Sequence, residues 1–167
     1  MMSVYGASST HAAGGGGRIA LVVTSAGEDF SAYTGTIKAY GGWASTCGPG
    51  GAGTIYKQSA ADRAGRGMVF LNNNNLGARY TDVPPSLPGN VPGEVNFAPF
   101  IITNAATLRM TTNFTVGDIW LQSANAWLNL GSNTLNVKTS VHPLTPGSVT
   151  NYGAIIWLIK GMVFKGF

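Results

Sequence analysis

The sequence is poor in charge, in cysteine and in histidine. Only 10% of its 167 residues are charged, and Cys47 is its single cysteine. One thiol can form neither a disulfide within the chain nor a cysteine-based metal site. The two histidines, His11 and His142, have no second ligand at metal-binding spacing, and His142 precedes a proline in a turn-rich segment. We therefore expect no metal site and no cofactor.

Long apolar runs and basic clusters are also missing. The longest apolar run, Ala154 to Ile159, is far shorter than the roughly 20 residues of a membrane helix, so no membrane span is expected. The first residues, MMSVYGASSTHAA, have neither a basic start nor an apolar core and predict no secretory signal. The net charge of +4 comes from scattered basic residues, which does not indicate binding to nucleic acid.

Carboxylates are too few to indicate an enzyme. Glycan cleavage requires convergent carboxylates, or a base beside a metal. Glu28 and Asp29 are neighbours and would face opposite ways on a strand; the others are Asp62, Asp82, Glu94 and Asp118. The densest charge cluster is Asp62, Arg63, Arg66, Arg79 and Asp82. We interpret it as a solvated loop with surface ion pairs and assign no catalytic residue, with a carbohydrate-cleaving enzyme as an alternative.

What the sequence does have is glycine and short apolar bursts. It contains 24 glycines, and RIALVV at 18–23, GTIKAY at 35–40 and GTIYK at 53–57 place Ile19, Ile37 and Ile55 eighteen residues apart. Alternation directs Ile37 inward, and Tyr40 and Tyr56 outward. The Gly14–Gly17 run lacks the lysine of a phosphate-binding loop, so its glycines are interpreted as tight turns. Strands at a fixed period predict an all-β solenoid of stacked rungs.

The second half repeats at a slightly longer period. ATLRM at 106–110 matches AWLNL at 126–130, and NFTV at 113–116 matches TLNV at 134–137, at spacings of 20 and 21 residues. The inward pairs predicted from this alternation are Leu108 with Met110, Phe114 with Val116, Ile119 with Leu121, Leu128 with Leu130, and Leu135 with Val137. Trp120 and Trp127 are predicted to point outward. NNNN at 72–75 is predicted to form a corner between strands.

We expect one domain over 1–167, with glycine-rich rungs at 1–82 and a second set of rungs at 101–167. Between them, 83–100 carries five of the eight prolines and is predicted to be an excursion outside the sheets. The last segment, GAIIWLIKGMVF at 153–164, is apolar on both faces. We expect its edge, with Ile155, Trp157 and Ile159, to be covered by the excursion or by a second copy of the chain.

The repeats of this sequence resemble the repeats of bacterial right-handed parallel β-helix surface proteins, such as autotransporter passengers and adhesins. The segments that carry the resemblance are GGGGRIAL, GTIKAYGG, GGAGTIY and the repeats from ITNAATLRM to NTLNV. The resemblance covers roughly 18–137. It implies a right-handed parallel β-helix with irregular rungs of about 18–21 residues, independent of calcium. It also implies a secreted or outer-surface protein that acts in adhesion or as a scaffold. Because no export signal is seen, we expect the chain to be the C-terminal part of a longer protein.

Aromatic side chains suggest a further class, carbohydrate binding without catalysis. Trp120, Trp127, Tyr40 and Tyr56 are the candidate ligand-binding residues, and Trp43 could serve in the same way. Aromatic residues on strands are more common as packing than as ligand sites. The partners expected are therefore a polysaccharide or cell-surface ligand, or a second copy of the chain at the C-terminal strand.

Overall fold

The computed structural model describes residues 1–77, 79–83, 98–139, 142, 144, 148–151, 153–159 and 162–166. Across these residues the protein is all-β, and it has no helix that could cross a membrane. The strands are β1 (Met2–Ser3), β2 (Arg18–Val22), β3 (Ile37–Lys38), β4 (Thr54–Gln58), β5 (Met68–Asn72), β6 (Tyr80–Asp82), β7 (Phe100–Thr103), β8 (Thr107–Arg109), β9 (Phe114–Val116), β10 (Ile119–Leu121), β11 (Trp127–Asn129), β12 (Thr134–Val137), β13 (Val149–Thr150), β14 (Ala154–Ile159) and β15 (Met162–Gly166).

These strands form several sheets that are mostly parallel. A two-stranded sheet has the order β1-β3, and a five-stranded sheet has the order β10-β7-β5-β4-β2. Two four-stranded sheets have the orders β13-β11-β8-β6 and β15-β14-β12-β9. Among the described strands, only the β4–β5 and β14–β15 pairs are antiparallel. The all-β class predicted from composition and alternation is therefore confirmed.

The repeat in the second half is confirmed at the level of register. Consecutive strands β7, β8 and β9 belong to three different sheets, and β10, β11 and β12 pair with them in the same order. Phe100 pairs with Ile119, Leu108 with Leu128, and Phe114 with Leu135. The spacings are thus 19, 20 and 21 residues. Like residues lie above one another, so each apolar position is extended into a ladder.

The core lies where the alternation predicts it. Leu108, Leu128 and Leu135 are fully buried or nearly so, whereas Phe114 and Leu121 are half-buried and pack against the same cluster. A smaller cluster in the first half consists of Ile19, Ala39 and Ile55, with Ile37 packed against it. The largest fully buried side chains are Phe100, Leu71, Ile102, Leu108, Met110, Ile119, Leu128, Leu130, Leu135, Ile155, Val116 and Val137.

The eighteen-residue period of the first half is wrong. Ile19 pairs directly with Ile55, at a spacing of 36 residues. Ile37 lies between them in sequence but pairs with Met2 in the separate β1-β3 sheet. The reason is that the chain between β2 and β4 contains two glycine-rich stretches, 41–42 and 50–53, and a strand of another sheet, β3. Together with 14–17, these stretches are named the glycine segments. The apolar burst at Ile37 therefore belongs to a different ladder.

The glycine segments pack side by side as extended backbone instead of forming turns. Gly16 donates to the Gly51 carbonyl at 2.9 Å, Gly42 donates to the Gly14 carbonyl at 2.8 Å, and Gly50 donates to the Gly42 carbonyl at 2.9 Å. A Cβ on Gly42 would overlap the carbonyl oxygen of Ala7. Glycine is therefore required because neighbouring backbones approach closely, and the prediction of tight turns at 14–17 is wrong.

Asparagines occupy corners between strands, as the sequence predicts. Asn74, Asn75 and Asn104 have φ of 51°, 59° and 51°, in the left-handed region that asparagine tolerates. Asn125 Nδ2 donates to Asn75 Oδ1 at 3.0 Å, which joins two corners. Asn73 differs because it is fully buried, and its side chain bonds to backbone groups of two glycine segments.

The C-terminal segment forms a hairpin. The segment 153–164 is not one strand: β14 pairs in parallel with β12 on one side and antiparallel with β15 on the other. Both edges of β14 are therefore paired within the chain, because its own last strand turns back along it. Of the excursion predicted at 83–100, residues 84–97 lie outside the described part of the chain, so its covering role is untested. Val83 and Phe100 at its two ends are buried, and Phe100 begins β7, so the prediction that the segment lies outside the sheets is wrong at this end.

Candidate functional site

Polar and aromatic side chains line one face of the β6-β8-β11 part of a four-stranded sheet, here named the outer face. Thr81, Leu108 and Leu128 on these strands are buried, so the side chains beside them in sequence point the opposite way. The registers place these outward side chains in two rows, Tyr80–Thr107–Trp127 and Asp82–Arg109–Asn129. Tyr80 and Trp127 are exposed and, at two strand spacings, about 10 Å apart.

An ion pair holds the first two members of the second row. Arg109 Nε lies 2.6 Å from Asp82 Oδ1, and Arg109 Nη2 lies 2.9 Å from Asp82 Oδ2. These hydrogen bonds hold the pKa of Asp82 below its usual range and raise the pKa of Arg109. The Arg109 guanidinium also lies over the Tyr80 ring, with Cζ 4.8 Å from its centroid. Tyr80 is therefore held in place by a charged neighbour.

The other end of the row is fixed by amide side chains. Asn129 Oδ1 accepts hydrogen bonds from the Gly131 backbone at 3.0 Å and from Asn151 Nδ2 at 2.8 Å. Asn129 is buried, whereas Trp127, one step away on the same strand face, is exposed. The outer face therefore combines two exposed aromatic rings with planar polar groups that the fold has already oriented.

A shallow cavity of about 250 Å³ adjoins the outer face beside Tyr80. Two glycine segments form part of its wall, and β6 forms another. Thr81 Oγ1 donates to the Ala52 carbonyl at 2.6 Å, which fixes β6 against the glycine segment. The lining residues are Gly15, Gly16, Arg18, Gly51, Ala52, Gly53, Thr54, Tyr80, Thr81 and Asp82.

A second cluster lies at β10. Asp118 Oδ2 is 2.8 Å from His142 Nδ1, and Asp118 Oδ1 accepts the Ile119 backbone N–H at 2.8 Å. The Trp120 ring stacks on the His142 ring at 4.4 Å between centroids and 13° between planes. An aspartate in this position orients an imidazole for proton transfer. Within the described part of the chain, however, His142 has no hydrogen bond to a nucleophile.

Known proteins give no guide to either cluster. No protein-family model, curated protein or solved structure matches the chain. Function therefore has to be inferred from the side chains that the fold brings together.

Of the four predicted ligand-binding residues, Trp127 is the one exposed on the outer face. Tyr56 is half-buried, its hydroxyl lying 2.6 Å from Gln58 Oε1 and accepting the Gly67 N–H at 3.0 Å. Tyr40 is half-buried as well, and Trp120 is stacked on His142. The structure therefore places Tyr56 and Trp120 in packing contacts, leaves Tyr40 half-buried, and does not gather the three rings at one site.

The predicted interaction edge is largely internal. Ile155 is fully buried, and Trp157 is half-buried against the main core. The Ile159 side chain lies outside the described residues, but its backbone pairs with that of Met162. Trp43, the fifth aromatic candidate, is exposed near the N-terminal segment, where its backbone N–H donates to Ser8 Oγ at 2.8 Å.

The densest charge cluster of the sequence is divided between different contacts. Asp62 Oδ2 accepts hydrogen bonds from the Ser59 N–H and hydroxyl, both at 2.8 Å, and thereby closes the turn between β4 and β5. Asp82 instead pairs with Arg109, and Arg79 donates to the Cys47 carbonyl at 3.4 Å. Among the described residues, no three histidine, cysteine or acidic side chains meet where they could hold a metal ion.

Tyr80, Asp82 and Arg109 were not recognised from the sequence as members of one surface. A signal for them exists, because RYTDV at 79–83 alternates in the same way as ATLRM at 106–110. Aligning these two segments gives the observed partners, Tyr80 with Thr107 and Asp82 with Arg109. The spacing of 27 residues is longer than the other second-half spacings because the segment 84–97 intervenes.

Proposed function

We propose that this chain is a non-enzymatic structural and adhesive module of a bacterial surface protein, built as a right-handed parallel β-helix. What supports this fold is the order of pairing, in which β10, β11 and β12 repeat the sheet assignments of β7, β8 and β9. Rungs stacked in this way bury a continuous core and leave an extended outer surface for binding. The location, secreted or on the outer cell surface, follows from the resemblance of the repeats to surface adhesins.

The ligand proposed for this module is a cell-surface carbohydrate. The observation that carries it is the row in which exposed Tyr80 and Trp127 flank Thr107, beside the Asp82–Arg109 pair. Aromatic rings offer apolar faces on which the C–H faces of sugar rings can stack. The partly exposed Asp82 carboxylate and Arg109 guanidinium supply acceptors and donors for sugar hydroxyls. The separation of about 10 Å between Tyr80 and Trp127 suits an extended polysaccharide chain more than a single sugar ring.

Binding to immobilised polysaccharides tests this proposal. Trp127→Ala and Tyr80→Ala are expected to weaken binding by about tenfold or more, since an aromatic anchor contributes over 1 kcal/mol. Trp43→Ala removes an aromatic side chain that is at least as exposed but lies elsewhere, and is the matched control, which should bind normally. The proposal fails if no polysaccharide in a broad panel is retained, or if all three variants bind alike.

A carbohydrate-cleaving enzyme is the second candidate, and the Asp118–His142 pair favours it. Against it, the four described aspartates Asp29, Asp62, Asp82 and Asp118 each have a different partner, and no contact among the described residues joins two carboxylates. Incubation with acidic and neutral polysaccharides should produce no new reducing ends and no unsaturated products. Turnover that disappears in His142→Ala would establish the enzyme instead.

A further inference from the structure

Close backbone packing requires glycine at two positions in the wall of the cavity beside Tyr80. A Cβ on Gly51 would overlap the Tyr80 carbonyl oxygen, and a Cβ on Gly53 would overlap that of Gly17. Gly15 differs, since the nearest atom to its added Cβ is the Gly51 carbonyl oxygen at 3.8 Å. Close backbone packing thus leaves a depression whose surface is largely main chain, open to solvent near Gly15.

The charge of this cavity is not balanced. Two ionisable groups of opposite sign line it, Arg18 and Asp82. Asp82 is neutralised by its two hydrogen bonds to Arg109. The exposed Arg18 guanidinium has no ion pair or side-chain hydrogen bond among the described residues. The net positive charge at the cavity therefore suits an anionic group, and a guanidinium binds a carboxylate through two parallel hydrogen bonds.

The size and position of the cavity connect it to the outer face. At about 250 Å³ it is smaller than the roughly 300–1,000 Å³ of drug-sized ligand sites, so it suits one sugar ring. Tyr80 and Asp82 belong both to the cavity lining and to the two rows of the outer face. A polysaccharide that contacts Tyr80 on the outer face would therefore also lie beside this cavity.

We propose that the cavity is a subsite for a carboxylate-bearing sugar unit, so that the module prefers acidic, uronate-containing polysaccharides over neutral ones. This inference rests on the proposed carbohydrate-binding function. Arg18 binds the carboxylate, Tyr80 contacts the ring, and the glycine backbone allows the unit to approach. The Asp82–Arg109 pair has a positioning role, because it holds Tyr80 and keeps the Asp82 carboxylate from opposing the ligand charge.

Affinity measurements with polygalacturonate and neutral galactan, on the complete chain, test the preference. The wild-type chain should bind polygalacturonate about tenfold more tightly, because hydrogen bonds to a charged group are stronger than those between neutral groups. Arg18→Gln should abolish that preference and leave galactan binding unchanged. Gly15→Leu, which fills the cavity from an open position, should also abolish it. Arg63→Gln removes an exposed charge in the β4–β5 turn and should retain it.

The outcomes separate the subsite from the carbohydrate-binding function. If wild type binds both polymers equally and Trp127→Ala weakens both, the subsite is wrong and the outer face stands. If neither polymer nor any other polysaccharide is bound, both proposals fail. If Arg63→Gln reduces the preference as much as Arg18→Gln, the attraction is a property of overall charge, and the subsite is again wrong. Circular dichroism melts of each variant identify any loss that is due to unfolding.

Discussion

Arg109 and Asp82 face each other across adjacent parallel strands in a two-point contact, Nε to Oδ1 at 2.6 Å and Nη2 to Oδ2 at 2.9 Å. The pair joins β6 to β8 in addition to the backbone hydrogen bonds between them. Both side chains are almost half exposed, with accessible fractions of 40% and 47%. Solvent screening therefore limits its energy to about 0.2–1 kcal/mol.

This pair predicts a small, pH-dependent stabilisation. Because Arg109 lowers the pKa of Asp82 in the folded chain, ionised Asp82 stabilises the fold at pH values above the carboxyl pKa of the unfolded chain. That contribution is lost as the pH falls through the lower, folded pKa. Urea unfolding should show Asp82→Asn to be less stable than wild type near neutral pH, with a difference that shrinks as the pH falls below the usual aspartate pKa of about 3.9.

Glu28→Gln is the control for this measurement, because Glu28 is exposed and has no ion pair within the described residues. It should change stability little at any pH. A stability difference for Asp82→Asn that persists unchanged in acid would show that the ion pair is not its cause. High salt should reduce the difference at neutral pH, because exposed charges are screened.

Neighbouring residues on β11 should respond very differently to truncation. Leu128 is fully buried and lies between Leu108 and Val149 in a continuous ladder. Leu128→Ala should therefore lower the free energy of unfolding by about 2–5 kcal/mol. Trp127→Ala, one residue away but exposed, should change it by less than about 1 kcal/mol. Equal destabilisation of the two variants in urea melts would contradict the assigned direction of the side chains.

A buried asparagine cross-links the glycine segments, and its removal should be costly. Asn73 Oδ1 accepts the Gly41 N–H at 2.9 Å, and Asn73 Nδ2 donates to the Gly50 carbonyl at 3.0 Å. Asn73→Ala leaves both buried backbone groups without these partners, and each such loss destabilises by about 1–3 kcal/mol. Thermal and urea melts measure the loss.

Asn136→Ala is the matched control for Asn73, since the Asn136 side chain is half-buried and makes no hydrogen bond within the described residues. It should alter stability by less than about 0.5 kcal/mol. If Asn73→Ala lowers stability as little as this control does, water must replace the lost hydrogen bonds. The packing of the glycine segments would then not depend on the Asn73 cross-link.

The sequence predicts the structure well where strands pack through side chains, and poorly where they pack through backbone. From Leu108 to Val137 the strands repeat at nearly constant spacing, and alternation was enough to predict register and buried face. In the first half, backbone contacts between glycines carry much of the packing, and glycines have no side-chain pattern to read. The predicted partner of Ile19 was therefore Ile37, in the next apolar burst, whereas the observed partner is Ile55, one burst further along the chain.

The alternation of apolar and polar residues also could not predict reversals of chain direction or contacts between residues distant in sequence. The antiparallel β4–β5 pair depends on a turn closed by Asp62 and Ser59, which looked like a solvated charge cluster. On the outer face, alternation correctly identified Trp127 as exposed. Tyr80 and Arg109 were not identified, because their proximity depends on a register that spans the proline-rich segment.

The last strand, β15, should keep the chain monomeric by covering the edge of β14. The β14 backbone pairs with β12 on one side and with β15 on the other, from Ile155–Gly166 to Ile159–Met162. A chain that stops at Ile159 would leave the outer edge of β14 unpaired, and exposed apolar edges associate with other chains. Light scattering should then show dimers or larger species for this truncated chain, and hydrogen exchange should show faster exchange in β14.

Loss of β1 provides the control for this truncation, because a chain that starts at Val4 also exposes an edge, but only at the two-residue strand β3. So short an edge offers few hydrogen bonds to a partner, and this chain should show little association. If the chain that stops at Ile159 remains monomeric and its β14 amides stay protected, another part of the chain must cover that edge. The protective role of β15 would then be wrong.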